Sequence, residues 1–260
     1  PGEGEIRRVE TLLKPRLGTA YSIRPLYGAM PFADQRAAIQ PDRKFRKVVL
    51  ATAIAETSLT LEDICVVVDG GRARRARFDA GSGMSRLVTE KVTRAEATQR
   101  AGRAGRVSNG TAYRLWTRGE EGGLQAYPPA EIEAADLAPL ALELALWGAT
   151  AATLPFLTQP NAASLSEAQA LLRLLGALDR SGQMTPHGRK IAALPLHPRL
   201  AHMLGLAGPQ GALLAALLAD RDPLARSAPV DLNLRIEALR DLRHYSCLLY
   251  TSDAADDSDC

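Results

Sequence analysis

In the first half of the chain, short apolar runs alternate with amphipathic helical stretches, and this alternation narrows the fold more than any other feature. Residues 47–51 (Lys-Val-Val-Leu-Ala) and 64–69 read as short strands, and 21–26 as a third. Residues 3–13 place Ile6, Val9, Leu12 and Leu13 at helical spacing, and 32–39 follow Pro31 as a second helix. A helix over 94–104 and a strand over 111–116 continue the pattern. Continuous Val-rich strands typify parallel sheets buried on both faces, and strands alternating with helices imply an α/β layered domain. On that reading Cys65, inside the run Ile64-Cys-Val-Val-Val68, is a buried core thiol.

After Tyr127-Pro-Pro129 the character changes. Residues 132–147 are rich in Ala and Leu and stop at Gly148, a helix-ending residue. Residues 165–178 form another Leu-rich helix, followed at 179–184 by a turn able to open a small wing. Short helices over 188–194, 198–206 and 211–218 complete a mainly helical region. The expected division is 1–127, 128–195 and 196–246. Residues 247–260 form an acidic, low-complexity tail read as non-native or disordered. A chain of 260 residues suits one large domain or two smaller ones.

The formal net charge of +3 does not by itself select a polyanionic partner, but the distribution does more. Between Arg72 and Arg106 ten Lys or Arg face three acids, which marks a polyanion surface or a solvated basic face. The three cysteines are scattered, with no CxxC pair, so neither a zinc site nor a disulfide framework is expected. That usage fits a reducing cytoplasm. No apolar run approaches membrane-spanning length, and no membrane partner is expected.

Three segments carry candidate chemistry. In Gln99-Arg-Ala-Gly-Arg-Ala-Gly-Arg106, a helical path puts Arg103 four residues from Gln99 on the same face, and Arg106 three residues on. Gly102 and Gly105 leave room for close approach, and guanidinium forks match phosphate oxygens in pairs. The segment 52–64 follows a strand, where α/β folds place ligands, and offers the small hydroxyls Thr52, Thr57, Ser58 and Thr60. Ser58 to Glu62 also reads as a helix-capping run. Residues 72–92 form two basic arms around Gly81 and Gly83, a hairpin with Arg72, Arg74, Arg75, Arg77, Arg86 and Lys91. Phe78 is its one aromatic, so base stacking is minor; Gly81-Ser-Gly83 reads as a hairpin turn or an anion cradle. His187 and His197 lack a third partner at metal-ligand spacing and read as structural.

These motifs, in this order, resemble the second motor lobe and following domains of DEAH/RHA-type helicases, closest to their bacterial branch. Thr52-Ala-Ile-Ala-Glu-Thr-Ser-Leu-Thr-Leu-Glu-Asp-Ile64 resembles helicase motif V, with Ala53 where relatives usually carry Asn. Residues 99–106 resemble motif VI, and Pro1-Gly-Glu-Gly-Glu-Ile6 resembles motif IV without its preceding strand. Gly28 to Gln35, Met184-Thr-Pro-His-Gly-Arg189 and Leu196-His-Pro-Arg-Leu200 extend the likeness to about residue 243.

The resemblance implies a RecA-like lobe, then winged-helix and helical-bundle regions at 128–195 and 196–246. It assigns Gln99, Arg103 and Arg106 to catalysis, and Thr60, Glu62 and Gly102 to the nucleotide. It places Thr52 and Thr57 on the nucleic-acid side and has Arg100 pair internally; the hairpin cations, read from their charge, suit either lining the strand channel or a wedge at the duplex fork. It implies ATP with Mg²⁺, single-stranded RNA or DNA as substrate, and a first motor lobe in cis. No GxxxxGK[ST] loop and no Asp-Glu-x-His motif occur in these residues, so this stretch is expected to be inactive alone. A non-catalytic nucleic-acid-binding module and a structural adaptor are the alternatives.

Overall fold

The computed structural model describes residues 2–56, 61, 63–220, 222–224 and 228–240. The chain divides into two compact units, Pro1–Ala135 and Asp136–Cys260.

In the first unit α1 (Glu3–Leu17) leads into β1 (Tyr21–Leu26), α2 (Phe32–Ile39) and β2 (Arg46–Ala51). β1 and β2 pair in parallel, from Tyr21 opposite Arg46 to Leu26 opposite Ala51. Both α1 and α2 pack on this pair, and Leu26 is fully buried. Lys47 ties the arrangement together. Its Nζ donates to the carbonyls of Ala38 (3.2 Å) and Gln40 (2.9 Å) at the end of α2, and pairs with Asp63 at 2.9 Å. A cation at the carboxyl end of a helix satisfies carbonyls that lack an intrahelical partner.

A second parallel pair joins β3 (Val66–Asp69) to β6 (Thr111–Arg114). Between them in sequence lie the antiparallel arms β4 (Arg72–Asp79) and β5 (Met84–Lys91), then α3 (Arg94–Ala101). Gly71 makes the sharp entry into the hairpin possible. Its φ is +68°, and a Cβ there would lie 2.8 Å from the Trp116 ring, so both conformation and space call for glycine. Beneath α3, Ala97 is buried with Ala73, Val92 and Leu124, and Trp116 packs against them. Two short helices, α4 (Arg118–Gly122) and α5 (Glu131–Ala134), close the unit.

Burial on both sheet faces is not what the second pair shows. Val66, Val68, Tyr113 and Leu115 are more than half exposed. The register sets Val66 opposite Thr111 and Val68 opposite Tyr113, so these side chains share one face. α3 contacts both strands, and among the described residues these four side chains stay uncovered. Cys65, expected to be buried, is likewise exposed, with Sγ 3.5 Å from Ser108 Oγ. It precedes β3 and lies outside the small core under α3.

The second unit holds α6 (Ala138–Trp147), α7 (Ala162–Leu174), α8 (Pro186–Ala192), α9 (Pro198–Ala207), α10 (Pro209–Ala219) and α11 (Leu232–Arg240). The single helix expected over 132–147 is two, α5 and α6, with a break at residues 135–137. Pro139 has no N–H and its ring would meet the carbonyl four residues back, at Ala135. Asp136 instead accepts the Ala138 N–H at 2.8 Å and starts a new helix. α7 runs from Asn161, which caps it, and ends earlier than the residue 178 expected. From there Leu178 bridges Met184 in a minimal antiparallel wing, held by the Asp179 N–H to the Gln183 carbonyl at 2.9 Å. Leu142, Leu144, Leu172, Leu178 and Ile191 are buried in this unit.

Candidate nucleotide-sensing site

The start of α3 is fixed by a reciprocal cap. Thr93 Oγ1 accepts the Glu96 N–H, and Glu96 Oε2 accepts the Thr93 N–H at 2.7 Å. The next two N–H groups donate to the carbonyls of Gln125 and Ala126. Glu96 also accepts from Arg75 Nη2 at 2.6 Å. Burial pushes the Glu96 carboxyl up, but the Thr93 N–H and hydroxyl and the Arg75 guanidinium outweigh it and hold it below the usual range.

The far end of α3 departs from the helix expected to residue 104. The helix stops at Ala101 and tightens into turns, with Arg103 N–H bonded to the Arg100 carbonyl and Ala104 N–H to the Ala101 carbonyl. The chain must double back to β6, and Gly110 crosses directly over Ala104. A Cβ on Gly110 would lie 2.0 Å from the Ala104 carbonyl oxygen. Gln99, Arg103 and Arg106 therefore do not form one helical stripe. Gln99 and Arg106 are exposed, whereas Arg103 is 9% exposed. Gly102, at the helix end, is exposed.

Arg100 is the anchor of this end. Its guanidinium pairs with the Glu56 carboxylate through Nε, and with Asp69 Oδ1 at 3.0 Å and the Arg72 carbonyl at 3.1 Å through Nη1. All three charged side chains are less than one-fifth exposed. Burial pushes the Glu56 carboxyl above its ordinary value, and Arg100 only partly reverses this. Asp69 Oδ1 also accepts the Gly71 N–H at 2.9 Å. The internal pairing expected of Arg100 is thus found. Arg103 turns the same way, its Nη2 donating to the Glu56 backbone carbonyl. Burial and the neighbouring Arg106 pull its guanidinium below the ordinary value, though an arginine stays charged at neutral pH.

Glu56 and Asp69 were not singled out in the sequence as parts of a site. The available signal was a lone acid closing each of two apolar stretches, with no way to say which arginine they met. Thr52 lies where β2 ends, its N–H bonded to the Leu26 carbonyl at 3.1 Å, four residues before Glu56. Thr57, Thr60 and Glu62, and with them the capping run read at Ser58 to Glu62, lie outside the described residues. So does the tail over 247–260.

The hairpin separates its arginines by strand parity. Arg75 and Arg77 share a face with Glu90. Arg75 Nη1 lies 2.9 Å and Arg77 Nε 2.8 Å from its carboxylate. Arg77 and then Arg75 hold the Glu90 carboxyl down to about 2, against burial. Arg72 and Arg74 point to the opposite face, and both are exposed, as is Arg86. Arg74 lies 3.8 Å from Glu5. At the tip, Asp79 accepts the Gly81 N–H and the Ser82 hydroxyl, so the Gly81-Ser-Gly83 segment is a hairpin turn with its own carboxylate rather than an anion cradle.

In the second unit His197 Nε2 lies 2.9 Å from Asp136 Oδ2, and its Nδ1 accepts the Arg199 N–H. His187 Nε2 lies 2.8 Å from His202 Nδ1. Among the described residues no cluster of three or more His, Cys, Asp or Glu is placed to hold a metal ion. Nor is any helix among them long and apolar enough to cross a membrane.

Two parallel strand pairs with flanking helices, a buried arginine brace and a helical region with a small wing define the second, RecA-like lobe of a helicase motor with its accessory domains. Residues 4–108 match the helicase conserved C-terminal domain, and 168–196 match the winged-helix of the helicase-associated HA2 domain. The chain is 46% identical over 206 residues to the ATP-dependent RNA helicase HrpB of Escherichia coli K12, covering 78% of this chain and 25% of that protein. It is 38% identical over 187 residues to the human ATP-dependent RNA helicase DHX33, covering 70% of this chain and 26% of that one. A crystal structure of the E. coli DEAH/RHA helicase HrpB superposes with a TM-score of 0.84 at 40% identity, over 94% of this chain and 33% of that one. The chain belongs to the DEAH/RHA helicase family, and it spans about a quarter to a third of the length of these relatives.

Proposed function

We propose that this chain is the second motor lobe and accessory region of an ATP-dependent helicase that couples ATP hydrolysis to movement along single-stranded RNA, with DNA as the second choice of strand. The carrying observation is the buried brace Glu56–Arg100–Asp69. It fixes the end of α3, and so the turn bearing Arg103 and Arg106, against the loop that follows β2. Residues 1–127 act as the motor lobe, 128–195 as the winged helix and 196–246 as the start of a helical bundle.

The donor set suits a triphosphate. Gln99 and Arg106 are exposed, Gly102 presents no side chain, and arginine forks stabilise the charge that spreads over a transferring phosphoryl group. Gln99 orients the attacking water, while Arg103 and Arg106 meet the γ-phosphate. Thr60 and Glu62 face the ribose. ATP with Mg²⁺ supplies the cleavable phosphoanhydride and is gripped mainly by a first motor lobe in cis, since the phosphate-binding loop and metal-holding motif do not occur in these residues. For Arg103 to act, it must leave the Glu56 carbonyl and swing outward as the lobes close. Thr52, Thr57, Arg72, Arg74 and Arg86 contact the strand backbone, with Arg75 and Arg77 shaping the hairpin that presents them. The protein works in the cytoplasm.

The test compares the 260-residue chain with the full-length protein. The full-length protein is expected to hydrolyse ATP faster with single-stranded RNA, and the chain alone to bind RNA without turnover. Its affinity should fall with salt, with a slope of about −0.7 per phosphate contact. Salt-dependent binding together with a full-length protein that never turns over ATP would leave a non-catalytic binding module. A flat salt response would leave an adaptor.

A further inference from the structure

We infer that Glu56 is a positioning residue that couples the loop after β2 to the arginines after α3. This inference rests on the helicase reading above. Glu56 meets both arginines through different atoms: its carboxylate holds Arg100, and its backbone carbonyl holds Arg103. It is itself 11% exposed at the side chain. Thr52, four residues earlier, lies on the same loop.

The linkage has a direction. The carboxylate–Arg100 contact is a largely buried ion pair completed by the buried Asp69, whose side chain is 3% exposed. Breaking such a pair leaves an uncompensated buried charge, so it resists rearrangement. The Arg103 contact with Glu56 is a hydrogen bond to an uncharged backbone carbonyl, weaker than the ion pair. When a strand displaces the loop, Arg100 and the end of α3 move with Glu56, while Arg103 can exchange one oxygen acceptor for another. Strand contact at the loop thereby reaches the residue placed for phosphoryl transfer, with Glu56 touching neither strand nor nucleotide.

The test uses the full-length protein with Glu56→Gln, Glu56→Asp and Arg103→Ala, measuring strand-stimulated ATP turnover, KM for ATP and strand affinity. Glu56→Gln keeps the shape and removes the charge. It is expected to lower strand-stimulated kcat by about 10²-fold, the scale of a misplaced catalytic group. KM and strand affinity should stay within about twofold, as for an interaction realised only in the transition state. Glu56→Asp keeps the charge but shortens the reach, and should retain more kcat than Glu56→Gln. If Glu56→Gln does not fold, Glu56→Asp below its melting temperature carries the test through the same kcat-against-KM split. Wild-type kcat per folded molecule in a less stable Glu56 variant would overturn the inference and leave Glu56 structural. Loss of turnover in Arg103→Ala beside unchanged turnover in Glu56→Gln overturns the coupling alone. Unchanged turnover in Arg103→Ala overturns the arginine assignment itself.

Discussion

The β4–β5 hairpin and the turn after α3 are both rich in arginine, yet they use the charge in opposite ways. In the hairpin, strand parity divides the arginines. Arg75 and Arg77 are spent on Glu90 and Glu96, and Arg72 and Arg74, on the other face, remain exposed; Arg86 lies opposite Arg77 on the paired face and is exposed as well. After α3 the division follows depth. Arg100 is half-buried against Glu56 and Asp69, Arg103 is buried against the Glu56 carbonyl, and Arg106 is outside. A count of positive charges is the same kind of number in both places. What an arginine can do depends on whether an acid has been brought to it from elsewhere in the chain.

Removing the ion-paired member breaks this comparison most severely. Arg100→Ala leaves the Glu56 and Asp69 carboxylates facing each other without their cation, and should cost about 3–5 kcal/mol in urea unfolding of the first unit. A loss no larger than that of an exposed ion pair would show that the brace is not buried in solution.

Gly110→Ala comes next, because the added methyl meets the Ala104 carbonyl. Displacing that turn should cost about 1–3 kcal/mol. It should also alter the amide exchange of residues 102–106 more than that of the hairpin. Thr93→Ala, at a position 1% exposed, removes the cap of α3 and should cost about 1 kcal/mol.

The hairpin should respond to acid. Glu90 ordinarily titrates near 4.5 and is held at about 2 by Arg77 and Arg75. A depressed folded-state value means the stabilisation is present above the ordinary value and is lost as pH falls from 4.5 toward 2. Glu90→Gln should flatten that part of the acid-unfolding profile. The smallest effect is on binding. Arg72→Ala or Arg74→Ala should each reduce the salt slope for single strands by about 0.7, whereas Arg77→Ala should leave it unchanged.

How much of this was legible in the sequence follows from how local each cause is. β1 and α2 appear with the bounds that their patterns indicate, because Pro31 and the apolar spacing act within a few residues. The hairpin was readable from its two basic arms and the glycines between them. The break before α6 was written in Asp136 and Pro139, and apolar spacing concealed it. The early end of α3 was not readable, because its cause is Gly110 returning over Ala104. Likewise, the motif of residues 99–106 names the right arginines but treats them as one helical face. Only the fold shows that Glu56, 44 residues before Arg100, turns Arg103 inward.

The central claim is that the turn after α3 supplies half of an active site. The direct test is single-stranded-RNA-stimulated ATP turnover by the full-length protein carrying Arg103→Ala. Turnover is predicted to fall by about 10³-fold or more, the scale for removing an arginine that stabilises phosphoryl transfer, with RNA affinity within about twofold, as expected when only transition-state contacts are lost. Turnover equal to that of the unaltered protein would contradict it.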